Sequence, residues 1–584
     1  MRAFFTLLAA TWRYAEGRRH LLLLHMAMFI VANGLHLLEP YVIGRVLNTI
    51  QDAAQSGAAA QSLRWLLFAM LGLAVGFWVF HGPARVLENN VAFHIRTRLV
   101  DHLFRILVRC PVQWHRDHHS GETINRIRKA HTAVYDFSSN IFVVIEMVIR
   151  IAGSVLALFL ILPGAAFIAV AVSVAAFLLV FVIDRTLLKL YDAINAKEHY
   201  TAAALHDYLT NIVTVITLRL EHLTQNELWR RMTQYLPVYR RSVTLNEWKW
   251  FLATVTISLM TVAVLAWYAF STMAAGGVLL AGTFFMLYDY LQKIGGAFYT
   301  FAWKYSQTVQ QYADLRSADE ILKAERPERN TDAALPRSWR RIDISDLQFR
   351  YEDEDHREHH LADIALTLER GKKIALVGES GSGKSTLMSV LRGLHEPDHA
   401  VVLCDGSPLP LHLRHLADHV TLIPQEPEIF ANTVEYNITV DTEQTEAEVM
   451  DDVRLACFDS VVARLPHGLK TNVVEKGVNL SGGEKQRLAL ARGIFAARGS
   501  DIILLDEPTS SVDSTNERRI YENLWKTFAD RCIVSSLHKL HLLPLFDDVY
   551  VLEQGRVIEH GSVKDLLATE SVLKKLWTQY SQTP

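Results

Sequence analysis

Six stretches of this chain are apolar over lengths that reach across a bilayer, at roughly 20 residues each, and all of them lie in its first half or just beyond it. They run near residues 20–47, 63–80, 137–162, 165–183, 250–270 and 278–303. A backbone in hydrocarbon has to satisfy its own polar groups, so each stretch is expected to be helical. No comparable run follows in the rest of the 584 residues. That division explains why half of the residues are apolar while the mean hydropathy is only slightly positive.

The connections between the stretches alternate in character. Residues 51–62, 163–164 and 271–277 contain no Lys or Arg. Residues 81–136 and 184–249 are long and carry many, among them Arg96, Arg98, Arg105, Arg109, Arg126, Arg128 and Lys129 in one, and Arg185, Lys189, Arg230, Arg231, Arg240 and Arg241 in the other. By the positive-inside rule the long connections and both termini are expected in the cytosol, in an integral protein of the plasma or inner membrane. The long connections are poor in Pro and Gly, so the spanning helices are expected to continue into them. Residues 4–10 are apolar, but Trp12, Arg13 and Tyr14 follow where a cleaved leader needs small residues. Residues 1–19 therefore read as an interfacial helix, 20–323 as a membrane domain, 324–341 as a turn-rich linker and 342–584 as a second, soluble domain.

Several ionisable residues fall within the apolar stretches: His36 and Glu39 in the first, Glu146 and Arg150 in the third, Asp289 and Lys293 in the sixth. Charges at mid-membrane cost about 2.5–3.5 kcal/mol each on insertion scales, so they face a partner or a wet cavity. The two pairs four residues apart read either as structural pairs or as contacts to a polar part of a cargo.

The second domain opens its chemistry with Gly378, Glu379, Ser380, Gly381, Ser382, Gly383, Lys384, Ser385 and Thr386. This glycine-rich loop follows an apolar strand at 374–377 and precedes a helical pattern, the context a phosphate-binding loop requires. Its glycines let amides turn toward phosphate, Lys384 supplies a cation at the β and γ phosphates, and the Ser385 hydroxyl suits Mg²⁺. Downstream, the apolar run 502–505 ends in Asp506 and Glu507, at the carboxyl end of an expected central strand, where doubly wound sheets gather ligands. Between them stands Leu480-Ser-Gly-Gly-Glu-Lys-Gln-Arg487.

With that octet between loop and strand, residues 342–580 resemble the ATPase domain of ATP-binding cassette (ABC) transporters, and what precedes them resembles the membrane half of an ABC exporter. The fold class implied is an α-helical bundle of six spans with long cytosolic helical extensions, followed by an α/β P-loop ATPase. The resemblance implies that Tyr351 stacks on adenine. It gives Gln425 contact with Mg²⁺ and the attacking water, and Asp506 support of Mg²⁺. Glu507 becomes the general base that polarises that water. His538 contacts the γ-phosphate, although Leu537 stands where the family has Thr. Asp513, in the Ser511–Asp513 segment, belongs to a loop that crosses to a partner domain, and Ser481, Gly482 and Gly483 cap ATP held by another subunit. Residues 430–438 and 475–477 match exporters better than importers. Residues 111–122 and 205–215 resemble coupling helices, with Asn211 in place of a common Gly.

The chain thus looks like a half-transporter using ATP and Mg²⁺. Its expected partner is a second half-transporter, most simply a copy of itself, since the loop, octet, Glu507 and His538 are all present; a heterodimer with a degenerate partner is the alternative. Membrane lipid and an apolar or amphipathic cargo (lipid, drug, peptide or conjugate) complete the expected partners. A nucleotide-gated channel or regulator on the same fold is the alternative, and Glu507 and His538 argue against it because a gate needs no turnover. The net charge of −3 gives no reason to expect nucleic acid. The clustered histidines 115, 118 and 119, and 356, 359 and 360, lie in charged stretches without Cys and read as solvated surface. Cys110, Cys404, Cys457 and Cys532 are scattered and read as cytosolic thiols.

Overall fold

The computed structural model describes residues 2–56, 60–118, 120–324, 335–336, 338–352, 358–473 and 480–582. The expected linker falls largely outside them, as do residues 475–477. The chain divides into two compact units, Met1–Arg109 with His118–Glu325, and Cys110–Asp117 with Arg326–Pro584. The short segment Cys110–Asp117, expected within the membrane half, therefore groups with the second unit; a helix of that length has no core of its own.

The first unit is entirely helical: α1 (Arg2–Tyr14), α2 (Arg19–Leu37), α3 (Glu39–Ser56), α4 (Ala60–Arg109), then, after α5 (Val112–Asp117) of the other unit, α6 (Ser120–Ser138), α7 (Ile141–Ile161), α8 (Pro163–Thr210), α9 (Ile212–Thr217), α10 (Glu221–Gln234), α11 (Leu236–Ala274), α12 (Ala281–Arg316) and α13 (Asp319–Lys323). At 1.5 Å a residue, α4 and α8 are roughly 75 and 72 Å long, more than twice the ~30 Å of hydrocarbon a span needs. The spans do run on as continuous helix. Among the described residues five helical segments are long and apolar enough to cross a membrane. The sixth expected stretch is the 36-residue α12, whose Asp289, Gln292 and Lys293 make it less apolar than the other five. α1 is a packed helix whose Leu7 and Thr11 are buried and whose Phe4 ring meets Phe137 of α6.

Two of the stretches are broken rather than continuous. The first is interrupted at Leu38, next to Pro40, which has no N–H to extend α2. The third breaks at Ser139–Asn140. There the fully buried Glu88 carboxylate of α4 accepts a hydrogen bond from the Phe142 N–H at 3.0 Å, filling an orphan donor of the α7 N-terminus. Arg85 pairs with Glu88, donates to the Ser139 carbonyl at 2.8 Å and lies 4.0 Å from the Phe142 ring centre. Asn211, between α8 and α9, has φ −105°, a conformation that needs no glycine. Both expected charge pairs form, Glu146–Arg150 at 2.5 Å and Asp289–Lys293 at 3.6 Å.

Among the described residues the second unit holds two sheets. Strands β1 (Arg341–Glu352), β2 (Glu358–Glu369), β4 (His399–Cys404) and β5 (Ser407–Pro408) form an antiparallel sheet in the order β2-β1-β4-β5. The other sheet runs β10-β9-β3-β8-β7-β6, from β3 (Lys373–Val377), β6 (Val420–Ile423), β7 (Ile502–Asp506), β8 (Cys532–Ser536), β9 (Asp548–Glu553) and β10 (Arg556–Ser562). It is parallel except for β10 on β9. Every residue of β3, β7 and β8 is buried, as continuous apolar runs covered on both faces require. The helices are α14 (Lys384–Leu391), the short α15 (Leu413–Leu416), α16 (Val434–Thr439), α17 (Glu446–Leu455) and α18 (Asp459–Arg464), then α19 (Gly482–Ala497), α20 (Ser514–Thr527), α21 (Val563–Ala568) and α22 (Val572–Gln582).

In the first unit α3 and α12 touch backbone to backbone. A Cβ on Gly282 would collide with the Gly44 carbonyl oxygen, while the Gly282 N–H donates to Asn48 Oδ1 at 2.8 Å and the Ala281 N–H to Gln51 Oε1 at 2.9 Å. Such small-residue contacts are what packs helices where lipid competes for apolar surface. Gly282→Ala is expected to destabilise the membrane unit by about 1–3 kcal/mol through overpacking. A melting curve of the detergent-solubilised protein unchanged from wild type would contradict this contact.

Candidate nucleotide site

The phosphate loop leaves β3 and enters α14 through three glycines at positive φ: Gly378 (157°), Gly381 (81°) and Gly383 (105°). A Cβ on Gly378 would collide with the Leu552 carbonyl oxygen, and one on Gly383 would lie 2.9 Å from Leu361. Gly378 is therefore closed to any side chain, and at Gly381 and Gly383 the positive φ is what favours glycine. Lys384 opens α14 and folds back into the loop. Its Nζ donates to the Gly378 carbonyl at 2.8 Å and the Glu379 carbonyl at 3.0 Å. Burial pushes its pKa below the usual lysine value, and the Glu507 and Asp506 carboxylates oppose that shift.

The acidic end of β7 is held from three sides. The Ser536 hydroxyl on β8 donates to Asp506 Oδ1 at 2.7 Å and accepts from the Glu507 N–H at 2.9 Å. The Gln425 amide, just past β6, donates to Glu507 Oε2 at 2.9 Å. Gln486 on α19 donates to the Glu507 carbonyl at 3.2 Å and to Ser510 Oγ at 2.9 Å, and accepts from the Ser511 N–H at 2.8 Å. Glu507 itself has φ +45°, a conformation that costs a non-glycine residue energy and survives only where its surroundings impose it.

One cavity of about 790 Å³ gathers Ser380, Gly381, Gly383, Lys384, Ser385, Thr386, Gln425, Glu507 and His538. Gly378, Glu379 and Ser382 belong to the loop without lining it, and Asp506 sits behind it, 8% exposed. Ser481, Gly482, Gly483 and Asp513 are not among the lining residues. Ser481 is the N-cap of α19 in a capping box: its N–H donates to Glu484 Oε2 at 2.9 Å and its hydroxyl accepts from the Glu484 N–H at 3.4 Å. Gly483 is required by proximity, since a Cβ there would come within 2.6 Å of the Ser511 carbonyl oxygen. Asp513 caps α20, and hydrogen bonds from Asn516, its backbone N–H foremost, hold the Asp513 carboxyl below the usual carboxylate range. The Tyr351 backbone lies in β1, but its side chain is outside the described residues.

Sequence reasoning passed over Ser536, Gln486 and the pair Thr509–Glu517, whose side chains hydrogen bond at 2.8 Å in the cavity wall. Gln486 stood inside the octet, so its position was visible and its role was not. Ser536 carried no signal, because a serine at the end of a strand is common and only the β7–β8 register reveals its partner.

The donor set suits a magnesium nucleotide: a glycine-rich loop at a helix N-terminus, a lysine ammonium, a hydroxyl, an amide and carboxylates. Comparison with known proteins agrees. The family described as "ABC transporter transmembrane region" matches residues 22–296, and "ABC transporter" matches residues 361–510. The "Antigen peptide transporter 2" of Rattus norvegicus is 36% identical over 234 residues, 40% of this chain and 33% of that protein. The "ATP-binding cassette sub-family B member 6" of Mesocricetus auratus is 25% identical over 585 residues, 97% of this chain and 67% of that protein. A bacterial Atm1-family ABC exporter, solved with ATP bound, superposes with a TM-score of 0.80 at 22% identity, over 96% of this chain and 98% of its own. The chain spans about a third of the length of the rat relative. The chain belongs to the ABC transporters, with a helical transmembrane domain and an ABC ATPase domain in one polypeptide, and is an integral membrane protein.

Ser536→Ala removes one hydroxyl and leaves the buried Asp506 oxygen and the Glu507 N–H without it. A loss of about 1–3 kcal/mol in stability is expected for the ATPase unit, read from its unfolding transition in the full-length protein. A variant as stable as wild type would show that this hydroxyl does not hold the strand end.

Proposed function

We propose that two copies of this chain assemble into an ATP-driven exporter that works by alternating access on an apolar or amphipathic cargo. The reading is carried by one observation: the cavity collects the phosphate loop, Gln425, Glu507 and His538, while the octet that the family uses to cap ATP opens a different helix and lines no part of it. A cavity complete on one wall and bare of its cap is what a shared site needs. In this reading Ser481, Gly482 and Gly483 of the second copy close over ATP bound in the phosphate loop of the first.

ATP would lie with its β and γ phosphates against the loop amides and the Lys384 ammonium, at the N-terminus of α14, and its adenine against Tyr351. Ser385 and Gln425, with Asp506 behind them, would hold Mg²⁺, whose charge offsets that of the phosphates. The Gln425 amide occupies Oε2 of Glu507, which leaves Oε1 to accept a proton from an attacking water. His538 would contact the γ-phosphate. Closure of two ATPase domains would move the segments at 111–122 and 205–215 and turn the membrane cavity outward, and hydrolysis would reset it. The cytosol is the proposed side for both termini, and the plasma or inner membrane the proposed location.

Glu507→Gln is expected to lower turnover by on the order of 10²–10⁴-fold, the usual worth of a general base, while ATP stays bound. Near wild-type hydrolysis in nanodiscs would remove Glu507 from that role. Lys384→Ala is expected to weaken ATP binding by about tenfold or more, since a charge-assisted contact is lost. An unchanged Kd for a fluorescent ATP analogue would exclude the loop as the phosphate site. Mixing Lys384→Ala with Ser481→Arg subunits puts both lesions on one site of the mixed dimer and leaves the other site whole. ATP occlusion rising above that of either pure variant is expected, and its absence would count against sharing. Cargo moved against its gradient in proteoliposomes separates an exporter from a gated channel.

A further inference from the structure

We propose that a small cavity between α8, α11 and α12 binds the head group of a zwitterionic phospholipid, with Lys249 facing its phosphate and Asp184 its ammonium. The cavity holds about 200 Å³ and is lined by both members of an ion pair that sequence reasoning did not single out. Lys249 Nζ lies 3.1 Å from Asp184 Oδ1, and the two residues are 5% and 6% exposed. Trp250, whose ring lies 4.6 Å from the Lys249 ammonium, lines the same space with Tyr191, Asn246 and Trp303.

The pair is under-satisfied for its burial. A lysine ammonium carries three donors, and among the described residues Lys249 donates only to Asp184. Buried ions are retained where further hydrogen bonds complete them, and here the remaining donors and the second carboxylate oxygen meet in an open space. That space is worth six or seven waters at ~30 Å³ each and is smaller than the ~300 Å³ at which pockets for drug-sized ligands begin. It suits a small polar group bearing both signs of charge. A phosphate would take the free Lys249 donors, and an ammonium would bond Asp184 and rest on the tryptophan faces. An anionic head group would leave Asp184 facing a like charge.

Depth favours a lipid over a free solute. Asp184, Lys249 and Trp303 stand roughly 30–40 Å along their helices from the ends of α8, α11 and α12 at the short hairpins. A hydrocarbon core is ~30 Å thick, so the cavity lies at head-group level on the far side. Tryptophan and tyrosine favour that level, and Trp303 and Tyr191 are exposed there.

The test uses full-length protein, delipidated in detergent and followed by native mass spectrometry without nucleotide, so its outcome is independent of the transport reading. Phosphatidylethanolamine is titrated against phosphatidylglycerol with the same acyl chains, and soluble phosphoethanolamine is added as a competitor. Wild type is expected to bind phosphatidylethanolamine about tenfold tighter, one charge-assisted contact's worth. Asp184→Asn with Lys249→Gln keeps a hydrogen bond between α8 and α11 and should erase the preference. Ser306→Leu, which fills the cavity and leaves the pair intact, should erase it too and serves if the double variant does not fold. Equal affinity for the two lipids in wild type, or a preference surviving the cavity-filling variant, would overturn the proposal. So would soluble phosphoethanolamine binding as tightly as the lipid, which would make this a solute site.

Discussion

A single hydroxyl holds the end of β7 in place. The parallel register of β7 on β8 pairs Asp506 with Ser536, so Ser536 Oγ meets Asp506 Oδ1 and the Glu507 N–H at once. It accepts one proton and donates another, which only a hydroxyl does in so little volume. Glu507 can then leave the strand at φ +45° and swing its carboxylate into the cavity rather than along the sheet. Gln425 and Gln486 hold the carboxylate and the carbonyl of the same residue, from just past β6 and from α19 respectively. The strained residue is over-determined, as a preorganised group has to be.

The membrane unit solves a different problem, because its helices gain little from excluding water. It relies on close approach, as at Gly44 and Gly282, and on polar side chains that cap buried helix ends. Glu88 is the clearest case. Its carboxylate is buried completely, yet every charge it brings is answered, by Arg85 and by the Phe142 N–H, and the bend between α6 and α7 is thereby held in place.

Much of this was legible. The strand, loop and helix around Lys384 were expected from apolar runs and glycines alone, and β3 and β7 fell within a residue of where the apolar runs placed them. The continuation of α4 and α8 beyond any bilayer followed from the scarcity of Pro and Gly. What escaped were features set by geometry across the sequence. The break at Leu38 lies inside the first apolar stretch, beside Glu39 and Pro40, and hydropathy averaged over the stretch passes over it. Glu88 sat in a charged connection and looked like any surface acid. The Asp184–Lys249 pair joins residues from two elements, and pairs were visible only at helical spacing. Ser536 was invisible for the same reason.

The octet has a second role that its position alone conceals. Ser481 starts α19, and Gln486, less than two turns later, holds both the Glu507 carbonyl and the Ser511 N–H. Gly483 allows the Ser511 carbonyl to pack directly on the helix. The start of α19, the backbone of Glu507 and the 508–513 loop are thus tied together by hydrogen bonds and direct packing, and Asp513 at the end of that loop caps α20. On the two-chain reading this has a mechanical consequence. The cap that a chain lends to its neighbour's ATP is bonded, through one glutamine, to the residue proposed to activate water on its own ATP. On that reading, a displacement of the cap by the neighbour's γ-phosphate would reach that backbone through the Gln486 hydrogen bonds. Two sites joined in this way are expected to sense each other's occupancy through Gln486, because the piece that closes one site carries the proposed base of the other.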